Sequence, residues 1–516
     1  MRVSRRLPRA MRLAAMECCR PSRRQALLWG SLAAATPLVA GAAASPASAA
    51  TPAAATPSSS SDILVTDLEV ATVTDTSVVI TWFTGSASQV DQYGFPEPVA
   101  TDTELQLGQF DVATLSVVPG TLKTVLQDDT QTPYHYAEVH GLEPGTAYAY
   151  VALSNGQTAQ QSSMQFPVGV GGSLDYPGAF ETLTTPPGRY LFTLALSNDL
   201  HMGEGESGII ENNWPPAFEQ DPGLPAYPVV MLEAMLGDLR QSDRGADRLL
   251  VAGDLTSSAL QSQAAQVKQM LDGWGQIERD YFVTRGNHDR SMVGSDYATC
   301  TAVPDTSPQH YDCWGDVFPY PLQQLQTYDV GGLRLVGLDT TMLDAAGGTM
   351  NAEQLGHLSD VLRQDKDRPT LLFGHHPITY ESAATTEAGP AFDIDRPTAI
   401  TLQKLYEKTP GVFFHHSGHT HRNKRTFLLD DTQSPVQSVE FLEVGATKEY
   451  PGGYSLLRLY TGGYMVSYYK NRTDLARAWS QRSRHEYYTL YPHYMLGTIA
   501  DRNHSVSVDL SGLRPL

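Results

Sequence analysis

The chain is poor in cysteine and in positive charge. Its 516 residues include four Cys, and 36 Lys and Arg stand against 56 Asp and Glu. So few cysteines exclude a small scaffold built on disulfides. A formal net charge of −20 argues against nucleic acid or an anionic membrane as a bulk partner, although a local cationic site for a small anion stays open. Beyond the N-terminal stretch no apolar run reaches the roughly 18 residues of a membrane span, so no transmembrane segment is expected in the mature chain. No internal repeat is present either, which removes solenoids and propellers. Hydrophobic residues make up an ordinary 41%. The length exceeds what one core can serve, so two domains with extensions are expected.

The N-terminus has its own character. Its first fifty residues hold eight Arg and a single acid, Glu17. The Arg23-Arg24 pair precedes an Ala-rich apolar stretch that runs to about Ala44, and Ala47-Ser48-Ala49 has the small-x-small form of a cleavage site. Residues 1–49 therefore read as an export signal of the twin-arginine type. The expected location is extracellular or in the cell envelope. Cys18 and Cys19 leave with this segment, and Cys300 with Cys313 is expected to form one disulfide in an exported protein. Residues 50–61 are an Ala, Ser, Pro and Thr linker.

From Asp62 to about residue 187 the pattern is β-like, with no helical period. Trp82 lies on an early strand, and Leu142, Pro144, Thr146 and Tyr148 alternate into a late one. With Phe180 on a last strand, this spacing resembles a fibronectin type III sandwich, which implies a positioning or binding domain over 62–187 with Tyr148 at its corner. From Tyr190 strands alternate with helices. Strands are predicted at 190–196, 248–252, 281–284, 333–338, 370–373 and 411–415, with more at 438–444 and 454–469. Helices are predicted at 227–240, 259–274, 352–363 and 398–408. This alternation predicts an α/β core over 188–470. Residues 471–516 give no assignment.

Five of the predicted strands run into a polar motif: Asp199-x-His201, Gly253-Asp254, Gly286-Asn287-His288-Asp289, Gly374-His375-His376-Pro377 and Gly418-His419-Thr420-His421. Ligands of open α/β sheets gather beyond the carboxyl ends of strands, so these five ends should meet in one crevice. Imidazole and carboxylate together suit Mn, Fe or Zn. Of the fifteen histidines, six fall between 375 and 421. Each motif alone is common; Gly237-Asp238 and Gly315-Asp316 repeat one of them outside the series.

Taken in order, the five motifs resemble the calcineurin-like metallophosphoesterase superfamily. The resemblance implies an α+β four-layer core, two β-sheets flanked by helices, beside the all-β sandwich. It implies two divalent metal ions as cofactors. Asp199, His201 and His421 would hold the first ion, and Asn287, His375 and His419 the second. Asp254 would bridge them with its two carboxylate oxygens. His288 would donate a proton to the leaving oxygen, and Asp289 would orient His288. His376, an unlikely ligand, would lie behind the ligands or on the substrate side, as would His415 and His416. A hydroxide held between the ions would attack phosphorus in line, without a covalent phospho-enzyme.

The order of domains also resembles purple acid phosphatases, whose tyrosinate ligand to ferric iron gives their colour. Here Ser257 stands where that tyrosine would be, and His201 is an addition, so the ligand set is closer to the cyclic-nucleotide phosphodiesterase-like branch and the enzyme should be colourless. The expected substrate is a small phosphate ester. A narrower nucleotidase or a cyclic-nucleotide or glycerophospho-diesterase is an alternative, and so is a surface-binding protein with an inactive domain. Cell-wall association through the sandwich is open. The 202–226 stretch with Trp214, the Cys300–Cys313 region and Tyr380 are candidates to face the substrate, with packing the alternative for Tyr380.

Overall fold

The computed structural model describes residues 62–161, 178–208, 218–386, 388–429, 435–486 and 491–516. The export signal, the linker and Trp214 lie outside the described residues.

Two sheets form the first sandwich. One contains Ile63–Val73, Ser77–Val90, Pro96–Pro98 and Tyr134–His140; the other is built around Thr101–Asp111, Lys123–Thr132 and Ala147–Ser154. Alternating side chains from both sheets close a core of Val70, Ile80, Trp82, Leu105, Tyr150 and Phe180. Trp82 lies flat on His135 and donates from Nε1 to Ser154 Oγ at 2.9 Å, so its one polar atom is satisfied inside the core. Tyr148 sits at the sandwich corner, where its hydroxyl accepts from the Glu143 N–H at 3.0 Å.

The second part is the expected four-layer α/β/β/α arrangement. Its first sheet runs Tyr281–Thr284, Arg248–Ala252, Tyr190–Ser197, Gly453–Tyr460, Gly463–Lys470 and Asn503–Ser507. Its second runs Gln326–Val330, Leu333–Leu338, Thr370–Gly374, Val412–Ser417, Pro435–Glu443 and Lys424–Leu429. Leu194, Leu250, Phe282, Leu335, Phe373 and Phe414 fill the space between the two sheets. The central strands, such as Arg248–Ala252, Leu333–Leu338 and Thr370–Gly374, are buried on both faces, which is why they read as apolar runs.

Helices cover the outer faces. Tyr227–Leu239 and Gln261–Trp274 lay Met235, Val267 and Leu271 on the first sheet. Ala352–Gln364 and Arg396–Glu407 lay Leu358 and Leu402 on the second. Their starts are set locally: Asn351 accepts from the Gln354 N–H, and Asp395 accepts from the Thr398 N–H with Pro397 in the first turn. Burying one such leucine contributes about 2 kcal/mol.

Residues 454–469, read as one strand, are a hairpin of two, turning at Thr461-Gly462. The unassigned stretch after 470 supplies the Asp474–Ser483 helix and the edge strand Asn503–Ser507. It also helps clamp the sandwich to the core. Arg502 donates to Ala71 O at 3.0 Å, and Arg484 with Lys470 engages Glu69 on the first strand. Cys300 and Cys313 are disulfide-bonded, as expected. Among the described residues no helix is long and apolar enough to cross a membrane.

Candidate metal centre

Each predicted ligand lies just past the end of a parallel strand, where the chain leaves the sheet. Space is so short there that only glycine fits beside several of them. A Cβ on Gly286 would lie 2.1 Å from Asp254 Oδ1, and one on Gly253 would lie 2.8 Å from His375 Cβ. The backbone pays for this convergence in another way too. Asp199, His201, Asp254, His419 and His421 all adopt left-handed φ angles between 44° and 71°, a region that side chains with a Cβ rarely occupy.

The seven expected ligands come together and are buried, His421 partly so. Asp199, His201 and His421 form one group, and Asp254, His375 and His419 another. In the first, Asp199 Oδ1 lies 3.2 Å from His421 Nε2 and 3.7 Å from His201 Nε2. In the second, His375 Nε2 lies 3.0 Å from Asn287 Oδ1, 3.1 Å from His419 Nδ1 and 3.1 Å from Asp254 Oδ2. Donor atoms that share one ion at about 2.0–2.2 Å lie roughly 3–3.5 Å apart. The separations fit except for Asp199 Oδ1 to His201 Nε2, which at 3.7 Å is slightly wide.

Each histidine is turned by the acceptor behind it. His201 Nδ1 lies in ion-pair contact with Glu204 at 2.7 Å, and His421 Nδ1 donates to Glu449 at 2.5 Å. His375 Nδ1 donates to Ala252 O at 2.8 Å, and His419 Nε2 to Phe392 O at 2.7 Å. The opposite nitrogen of each ring is left with its lone pair pointing inward. His375 Nε2 and His419 Nδ1 therefore face each other together with two acceptor oxygens, and no obligatory donor lies between them. Asp199 Oδ1 and His201 Nε2 are buried and make ion-pair contacts but no well-aligned hydrogen bond. Such a set of acceptors calls for a cation, and the residues present fit two divalent ions.

The electrostatics agree. Burial would raise the Asp254 carboxyl, but His375 and His288 outweigh it and hold the group well below the usual carboxylate range. Burial would lower His421, but Asp199 and Glu449 drive it up to about 10. The pull that these anions exert on an imidazole proton is the pull they would exert on a metal ion.

Two expectations need correction. Asp254 does not present one oxygen to each group. Its Oδ2 faces both, at 3.4 Å from His201 and 3.1 Å from His375, while Oδ1 accepts the His288 N–H at 2.7 Å. Asp289 does not orient His288. Its carboxylate accepts from the N–H groups of Leu255, Thr256 and Gly286 and from the Thr256 hydroxyl, fixing the turn that carries Asp254. Burial, and then the charge of Asp254, push Asp289 up to about 6. His288 is oriented instead by Ser257, whose carbonyl accepts from Nδ1 at 2.7 Å.

His376 lies behind the ligands. It donates from Nε2 to Ala346 O and accepts at Nδ1 from Thr340, which leaves no lone pair for an ion. His415 accepts at Nδ1 from the Tyr406 hydroxyl, and His416 donates from Nε2 to Ser197 O. Tyr380 is 75% exposed, so packing is not its role. Glu204, Lys448 and Glu449 carry no mark in the sequence that sets them beside the ligands. Only the spacing Asp199-x-His201-x-x-Glu204 could have suggested one of them, as a one-turn neighbour of a ligand.

Residues 192–423 match the calcineurin-like phosphoesterase family. No curated protein matches the chain. Among solved structures the chain is similar to a purple acid phosphatase from yellow lupin (Lupinus luteus) seeds, at 16% identity over 87% of this chain and 75% of that one, with a TM-score of 0.39. It is similar to a dimetal phosphatase from Danio rerio, at 12% identity over 54% of this chain and 96% of that one, TM-score 0.38. PhoD is similar at 12% identity over 80% of this chain and 87% of that one, TM-score 0.34.

Proposed function

We propose that the chain, whose residues 192–423 match the calcineurin-like phosphoesterase family, is a metal-dependent phosphoesterase that hydrolyses small phosphate esters outside the cytoplasm at a centre of two divalent ions. The observation that carries this reading is the inward convergence of Asp199, His201, Asp254, Asn287, His375, His419 and His421, with no obligatory donor between them. Asp199, His201 and His421 would hold one ion and Asn287, His375 and His419 the other, with Asp254, which faces both groups, shared between them. When bound, the ions would neutralise phosphate oxygens and supply a nucleophile at neutral pH.

The remaining work falls to the chain. Gly253 and Gly286 let the backbone close around Asp254. Asp289 holds that turn rigid. Ser257 O fixes the Nδ1 proton of His288 and leaves its Nε2 available for the leaving oxygen, to which it donates when the ring carries both protons. The Arg23-Arg24 segment supports export, and the monoester or diester preference is the subject of the test.

Purified protein would be loaded in turn with Mn, Zn and Fe and assayed on aryl phosphate and bis-aryl phosphate. Asp254→Ala and His375→Ala should each reduce hydrolysis by at least about 10³-fold, more than the loss of one oxyanion donor costs. Unchanged hydrolysis in either variant would sink the metal mechanism.

A further inference from the structure

The two groups of ligands differ in what stands behind them. The histidines of the second group lean on backbone carbonyls, of Ala252 and Phe392. Those of the first lean on carboxylates, and these carboxylates are joined. Glu204 gives Oε2 to His201 Nδ1 at 2.7 Å and Oε1 to Lys448 Nζ at 2.7 Å. Glu449 gives Oε1 to His421 Nδ1 at 2.5 Å and Oε2 to Lys448 Nζ at 3.0 Å. The chain of contacts is closed from one ligand to the other: His201, Glu204, Lys448, Glu449, His421.

Lys448 is 4% exposed and Glu449 is 2% exposed. The Glu204 side chain is less deeply set, at 16% exposed. The Lys448 ammonium lies between the two carboxylates, and each turns one oxygen to the lysine and one to its histidine. Ser207 completes Glu449 by donating to Oε2 at 2.6 Å. The lysine is itself anchored. Its N–H donates to Asp199 O at 3.2 Å, and its carbonyl accepts from Trp479 Nε1 at 2.8 Å. Lys448 is therefore linked to all three ligands of the first group and, among the contacts described, to none of the second.

A histidine whose far N–H is bonded to a carboxylate is a stronger donor to a metal than one bonded to a carbonyl, and its ring is held in one tautomer. We propose that Lys448, lodged between Glu204 and Glu449, is a positioning residue that holds and selects the ion of the Asp199–His201–His421 group and makes the two metal positions unequal. This rests on the ligand assignment proposed above. It predicts that the first position can be weakened alone by a residue that touches no metal.

The test is titration of the metal-free full-length protein with Co(II), following ions bound per chain and the visible d–d absorption. Wild type should take up two ions. Lys448→Met should bind one with wild-type affinity and the other about 10–100-fold more weakly. Part of the Co(II) spectrum should change and the rest stay. Lys448→Arg, which keeps the charge, should recover most of the lost affinity. If Lys448→Met binds both ions as wild type does, or weakens both equally, the proposal is overturned. If Lys448→Met lacks a native melting transition, Glu204→Gln decides on the same readouts, since it keeps the side-chain volume and breaks the same link. His421→Ala tests the underlying assignment separately. It must lose one ion, and if it binds two with unchanged affinity the ligand assignment fails whatever Lys448 does.

Discussion

Lys448 and Lys470 are both buried ammonium groups set against carboxylates, yet they end on different things. Lys470 meets Glu69 of the sandwich, which also accepts from Arg484 at 3.0 Å and from the Tyr450 hydroxyl at 2.8 Å. Arg484 goes on to Asp67, which Gln481 also contacts. The partners described there are structural side chains, so that network joins the sandwich to the core. The Lys448 network ends instead on two imidazoles whose other nitrogens point into the metal centre. The chemistry is the same in both places, and only the terminus separates a clamp from a functional support. A buried ion pair is therefore no sign of function until its last atom has been identified.

Variants can break that comparison. At the centre, His288→Ala should lower turnover of alkyl phosphate esters by about 10²–10⁴-fold. It should cost far less on aryl esters, whose leaving groups need no proton, and should barely move the melting temperature. Equal losses on both ester types would remove His288 as the proton donor. At the clamp, Glu69→Ala leaves Lys470 and Arg484 without their shared carboxylate and should destabilise the fold by about 3–5 kcal/mol in urea unfolding. Its turnover per folded molecule should match wild type, and a loss of turnover would mean that the clamp also serves the site.

Acid should separate the two in the same sense. Burial raises the Glu69 carboxyl, but Lys470 and Arg484 together outweigh burial and bring it from 4.5 down to about 2. Its folded value lies below its unfolded one, so its contribution of about 3 kcal/mol is whole above pH 4.5 and is lost as the pH falls toward 2. Glu69→Gln should flatten the stability profile in that window. The smallest effect concerns Ser257: the metal-loaded protein should show no strong visible charge-transfer band, and a purple colour would reveal a tyrosinate ligand.

Much of this was legible in the sequence because strands buried on both faces announce themselves as apolar runs, and their polar ends then stand out. Two of the four long helices follow the spacing of their leucines and start at the caps Asn351 and Asp395. The seven ligand types were readable because glycine and histidine cluster where chains must turn near a metal. What the sequence could not carry was direction. Nothing in Gly253-Asp254 says which oxygen faces the ions. Nothing in Asn287-His288-Asp289 says that the aspartate turns away to hold backbone N–H groups while Ser257, far along the chain, takes the histidine. Lys448 and Glu449 follow a strand like any surface pair, and only the packing of Trp479 and Tyr227 over them makes them an interior bridge.

The left-handed turns at Asp199, His201, Asp254, His419 and His421 set stability and activity against each other. Each of these backbones would be more comfortable as glycine, by about 1–2 kcal/mol per position. A search for sturdier variants that scored folding alone would drift toward glycine at these five positions and would disarm the enzyme while hardening it. Five of the seven proposed ligands thus persist against the preference of their own backbone, a cost that only selection for the metal centre can sustain.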